Sequence, residues 1–374
     1  MKFNPLLFLM SLGAGGVAIM PFVLMQYTIE HGAGLITRSQ LWQLKSGALY
    51  FGFEAIMVVF AALHIALTIY LLGKLISWMR EGGHKKVMVD PLRNATLLAP
   101  FISIIMTMNV MIGPVRYFLP FMQDNFQAMM LPAFLFWTAI FVALMWTEIR
   151  LLTISFQKGF DIDKINFGWL LHPFALGMLT VVGTGIAAMA QDLTIASTAA
   201  FLSLISGSMG VFLLAVKLFV LFKSHFKKDG LPEKQFLPSF LIVIPNITLF
   251  AISAFRLSHY MGHHLGFEMG AFNYLVMGLA FAFEIWYLAF GISLLVDYFK
   301  KHHFSEFYVT QWGFICPLVA FVVLGSFAHK IVLASPILYW ILVVSMGITV
   351  VFYIELLIKQ FQCATDSARV TCTG

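Results

Sequence analysis

Charge is what this sequence lacks most. Of its 374 residues only 11% are Asp, Glu, Lys or Arg, against 60% hydrophobic, and the mean hydropathy is +0.90. A soluble domain carries about a quarter charged residues, so this chain has too little polar surface to face water and must face lipid. Cysteine is scarce as well: Cys316, Cys363 and Cys372 have no metal-ligand spacing and suggest no disulfide framework. Also missing are a glycine-rich phosphate loop, a nucleophile elbow and a plausible pair of catalytic carboxylates. The reading is therefore of a non-enzyme without a cofactor. The net charge of +6 sits between apolar runs, so its partners are lipid headgroups and water rather than nucleic acid.

What is present is ten apolar runs, at roughly 5–27, 47–79, 95–119, 127–156, 166–190, 194–223, 236–261, 267–299, 305–332 and 337–361. Runs of this length in lipid must be helices, because only a helix satisfies its own backbone there. The first run is expected to be a retained span rather than a signal peptide, since it lacks a clear small-residue cleavage site. One transmembrane domain is thus expected over 1–361, with a short polar tail over 362–374. The loops after spans two, four, six and eight hold Arg80, Lys85, Lys86, Arg93, Lys158, Lys164, Lys223, Lys227, Lys228, Lys234, Lys300 and Lys301. The opposite side holds only Arg38, Lys45, Arg116, Arg256 and Lys330. The positive-inside bias predicts both termini and the tail in the cytoplasm, in a plasma membrane (the inner membrane if the source is bacterial).

Proline gives the chain a period. Pro100, Pro173, Pro245 and Pro317 are 73, 72 and 72 residues apart, each early in an odd-numbered span. The first span has Gly13, Gly15 and Gly16 at that depth, and the even spans have no interior proline. A repeat of this kind predicts five helical hairpins. Proline inside a helix kinks it and frees a carbonyl, which at membrane depth needs protein or a watery cavity around it. The expected architecture is all-α, an inner ring of five odd helices around a central pore, sleeved by five even ones.

Four segments carry a resemblance. They are DPLRNATLLAPFISIIM (90–106), FGWLLHPFALGM (167–178), LPSFLIVIPNITLFA (237–251) and WGFICPLVAF (312–321). In order and spacing they resemble the tellurite-resistance/dicarboxylate transporter family, which includes the plant slow-type anion channels. The resemblance implies a quasi-five-fold pore, a homotrimer, and solutes such as chloride, nitrate, sulfite, tellurite or a C4-dicarboxylate such as malate. It also implies a phenylalanine plug just before the ninth-helix proline. That position is Cys316 here, with Phe314 two residues earlier, so either another aromatic closes the pore or the path is less tightly gated.

The candidate pore and gate residues are accordingly Gly15, Pro100, Pro173, Pro245, Phe314, Cys316 and Pro317. Arg116, Arg256 and Lys330 recur near one end of the inner helices and would form a positive vestibule for anions. Weak polar ligands near the path are Ser103, Thr107, Thr180, Thr184, Asn246 and Thr248. Among ionisable residues within spans (Glu54, His64, His172, Lys217 and Glu284), His172 is the candidate proton site of a coupled carrier, as it precedes Pro173. Glu148 and Arg150 read as interfacial charges, and His263, His264, His302 and His303 as solvated loop residues. Two alternatives stand beside an anion channel or transporter. One is a proton-coupled carrier or exporter on the same fold; the other is a haem or quinone anchor using His64, His172 and His259.

Overall fold

The computed structural model describes residues 3–45, 47–227, 232–365 and 371–373. Among them ten helices are long and apolar enough to cross a bilayer. They are Pro5–Thr28, Ala48–Arg80, Asn94–Phe118, Met130–Lys158, Phe167–Met189, Leu193–Lys227, Lys234–Leu265, Gly270–His303, Val309–Ile331 and Pro336–Ala364, spans one to ten. Every expected run is there, with its ends moved by a few residues.

Odd and even spans start differently. Each odd span opens in 3-10 turns, at Pro5–Leu7, Asn94–Leu98, Phe167–Leu170, Lys234–Ile242 and Val309–Phe314, and then loosens into α-helix. The even spans enter α-helix directly. The periodic prolines mark this junction. Pro100 is the second residue of the α segment that begins at Ala99. Pro173, Pro245 and Pro317 are each third, in segments that begin at Leu171, Val243 and Ile315. The prolines therefore sit inside continuous spans, where 3-10 turns pass into α-helix and the preceding turn offers its carbonyls, as Thr96 does to the Ala99 N–H and Trp312 to the Ile315 N–H.

The glycines of span one lie within an unbroken helix, Phe8–Thr28, and act through close approach. A Cβ on Gly16 would stand 3.1 Å from Val319, and one on Gly15 would press on Met106 and His64 at 2.5 and 2.9 Å. The break in span three that the sequence did not announce is a π turn at Met111–Val115, with Pro114 inside it.

Packing separates the two sets further. The odd spans touch in a closed cycle: one with three, three with five, five with seven, seven with nine and nine with one. In their most apolar stretches 50–100% of residues are buried, against 28–33% in the even spans. Span ten runs on to Ala364, into the expected tail. A short strand, Glu306–Tyr308, pairs in parallel with Thr371–Thr373, while 366–370 and 374 lie outside the described residues. Cys363 is disulfide-bonded, which corrects the expectation that these cysteines form no such link.

Candidate functional site

A cavity of about 160 Å³ lies among the odd spans. All five contribute to its wall, Leu35 adds one side chain from a loop, and no even span reaches it. Leu12, Phe174, Pro245 and Cys316 line the end where the odd helices begin; Met189, Arg256 and Phe327 line the end where they finish. From Pro245 to Arg256 is about 16 Å of helix, half of a hydrocarbon core. Most of the wall is apolar, with Asn109, Thr248 and Arg256 as its polar side chains.

Arg256 is the charged residue of this wall, and its neighbours fix it. Its Nη1 donates to the Val181 carbonyl at 2.6 Å, which ties span seven to span five. Gly185 makes the approach possible, since a Cβ there would stand 3.0 Å from Nη1. Close by, Tyr27 packs its ring on that of Phe327 at 3.9 Å and edge-on to Phe255 at 6.4 Å. One guanidinium bound by a carbonyl rather than a carboxylate keeps its positive charge uncompensated, which suits a transient anion.

The other candidate residues are distributed more widely. Of the seven pore and gate residues, Pro245 and Cys316 line the cavity. Gly15, Pro100, Pro173 and Pro317 stand outside its wall. So does Phe314, whose ring packs against Tyr298, Phe299 and Phe352 at 5.2–6.0 Å, towards spans eight and ten. Of the three vestibule bases, one lines the cavity. Arg256 is in the wall; Arg116 is buried under the Phe126 ring at 4.9 Å; Lys330 is exposed.

Most of the polar groups expected near the path turn away from it. Ser103 and Thr107 meet Ser11 and His64, at 3.1 and 2.9 Å, in a network that also takes in Thr68 of span two. Thr180 bonds Ser206 of span six at 2.8 Å, and Thr184 bonds carbonyls of its own helix. Asn246 caps the Ile242 carbonyl at 2.8 Å. Thr248 is the member of this set in the cavity wall.

His172 faces span four, not the cavity. Its Nδ1 lies 2.6 Å from Glu148 Oε2, with both side chains fully buried, and Lys217 sits near by over the Trp169 ring. Glu148 is therefore no interfacial charge: a membrane-buried carboxylate needs a partner, and His172 supplies it. His303 is likewise buried, 3.1 Å from Glu355, rather than solvated in a loop. His64 is held on both ring nitrogens, by the Ser11 carbonyl and Thr107, which leaves neither free for haem. Outside the spans, Glu306 accepts from Lys234 at 2.7 Å and is bonded by Tyr308 and His302; these partners hold its carboxyl down at about 2.

Sequence reasoning missed Asn109 and Phe174 as wall residues. Phe174 had a signal, its place beside a periodic proline; Asn109 had none. No curated protein matches the chain. A sequence profile of the voltage-dependent anion channel family matches residues 2–361, in agreement with the resemblance carried by the four motifs. This multi-pass membrane protein belongs to that family, and membership makes the passage of anions its class of function.

Proposed function

We propose that the five odd spans form a quasi-five-fold inner ring, sleeved by the even ones as five hairpins, and that the cavity is the path of small monovalent anions. The observation that carries this is the composition of the wall: all five odd spans, no even span, one fixed positive charge. A single guanidinium with two neutral polar groups matches one negative charge better than the two of a dicarboxylate. Chloride and nitrate are thus favoured over malate. In liposomes the purified protein should pass nitrate and chloride faster than malate, and Arg256→Met should lower the flux about tenfold or more. Absence of flux for every anion of the panel would defeat the reading.

The gate in this proposal is Phe174, the aromatic of the cavity end where Cys316 lies. Cys316→Phe should lower flux by adding a second ring there, whereas Phe314→Ala should leave it unchanged. The apolar outer faces of the even spans suit lipid and neighbouring copies, so we propose the homotrimer, to be counted by crosslinking in membranes. Cytoplasmic termini in a plasma or bacterial inner membrane follow from the basic loops, and cysteine accessibility labelling tests that orientation.

A further inference from the structure

Glu284 sits in the middle of span eight, fully buried, on the face of the helix that also buries Met277, Ala280, Phe281 and Tyr287. Its Oε1 is hydrogen-bonded to Thr248 Oγ1, and its Oε2 is buried without a partner. Thr248 is a wall residue of the cavity. One hydroxyl therefore separates this carboxyl from the proposed anion path.

No base offsets it. Span eight packs against spans seven and nine and the 3-10 segment Lys234–Ile242. The titratable groups on those elements are Arg256, His259, Tyr260, His263 and His264 on span seven, Cys316, His329 and Lys330 on span nine, and Lys234. On its own helix are Tyr274, Tyr287, Asp297, Tyr298, Lys300, Lys301, His302 and His303. Among the described residues none of these forms a hydrogen bond or ion pair with Glu284; Arg256 donates to the Val181 carbonyl and Tyr287 to the Phe240 carbonyl. An ionised Glu284 would be an uncompensated charge in a low-dielectric surrounding.

The hydrogen-bond inventory agrees. A threonine hydroxyl has one proton to donate. Thr248 Oγ1 lies 3.0 Å from the Ile244 carbonyl, which can only accept, and it also contacts Glu284 Oε1. Both contacts are hydrogen bonds at once when Thr248 donates to Ile244 and a protonated Glu284 donates to Thr248. With a carboxylate, one of the two must be given up.

We propose that Glu284 is a proton-binding site coupled to the cavity: its proton must be in place for an anion to enter, and loss of the proton closes the path by charge repulsion. The proposal rests on the reading of the cavity as an anion path. Linkage makes it reciprocal, so an anion in the cavity must also strengthen the hold on the proton.

Infrared titration of the purified protein, taken as wild type minus Glu284→Gln, should show a carboxylic-acid carbonyl band at neutral pH that disappears on alkalinisation. Replacing gluconate by nitrate should move its midpoint upward by about half a pH unit or more. In liposomes, wild-type nitrate flux should fall about tenfold per pH unit above that midpoint. Glu284→Gln keeps the neutral shape but cannot titrate, so it should conduct with a flat pH profile. A wild-type pH profile in Glu284→Gln overturns the proposal, as does a band missing at neutral pH or indifferent to nitrate. If wild type passes no anion at any pH, the reading of the cavity falls, while the band and its response to nitrate still decide the proton site. Should Glu284→Gln fail to fold, Thr248→Val replaces it: the band should shift with the lost hydrogen bond and the profile flatten. An unmoved band and profile in that variant overturn the proposal.

Discussion

The odd spans are the buried set, each opening in 3-10 turns and touching its neighbours in a closed cycle, while the even spans leave most of their surface exposed. Yet Glu54, His64, Glu148, Lys217 and Glu284 all lie on even spans, and each of these five meets an odd neighbour. Glu54 bonds Tyr117 of span three at 2.9 Å, and His64 bonds Ser11 and Thr107 of spans one and three. Glu148 pairs with His172 of span five, Lys217 reaches the Trp169 carbonyl, and Glu284 meets Thr248 of span seven. Polar contacts thus hold the odd spans from behind, which leaves the cavity between them apolar apart from three side chains. Lipid supplies no hydrophobic drive for one apolar helix to seek another, so close packing and buried polar contacts must bring the helices together.

The largest effect expected from breaking this division is at the back of span five. Glu148→Ala strands the buried His172 and Lys217, and should cost about 3–5 kcal/mol in thermal unfolding in detergent; an unchanged melting temperature would deny the contact a structural role. On the cavity side, Phe174→Ala should raise anion flux several-fold, about 3–10 times. Equal or lower flux would move the gate elsewhere. Glycines sharpen the comparison at smaller scale. Gly183 in span five faces the rigid Trp137 ring and Ser203 from behind, whereas Gly73 in span two has nothing within 4 Å. Gly183→Ala should therefore destabilise by about 1–3 kcal/mol, while Gly73→Ala gains up to about 1 kcal/mol of helix propensity.

The smallest effect lies outside the membrane, at Glu306. Its carboxyl is held from the ordinary value of 4.5 down to about 2 by Lys234, Tyr308 and His302. A depressed acid stabilises the fold above its unfolded value and loses that contribution as pH falls towards the folded one. The protection of the strand Glu306–Tyr308 against hydrogen exchange, taken relative to the intrinsic rate at each pH, should then fall as pH drops from 4.5 towards about 2, and Glu306→Gln should show the lower protection already at neutral pH.

Span number and spacing were legible because a run of some twenty apolar residues in lipid has one backbone solution. The 72-residue proline period located the junction that sets odd spans apart, although not its geometry: the change from 3-10 to α turns leaves no mark of its own in sequence. What could not be read was facing. A soluble helix betrays its buried side by being polar on the other, but a membrane helix is apolar all round. Hence Ser103, Thr107, Thr180 and His172 passed as path residues though they turn to even spans, while Phe174 and Asn109 passed unnoticed. Nor could Arg116, Arg256 and Lys330 be told apart, since depth alone does not reveal which base enters a wall.

By itself the sequence determined a ten-span membrane chain, its alternation of two helix types and its family, because length, hydropathy and proline spacing are one-dimensional properties. Tertiary structure alone decided which atoms face the cavity: Arg256 docked on Val181, Cys316 and Phe174 at one end, Glu284 behind Thr248. Those choices depend on the rotation of each helix about its axis, and that rotation is fixed by polar partners hundreds of residues apart in some pairs, as in Tyr353 on the Met10 carbonyl.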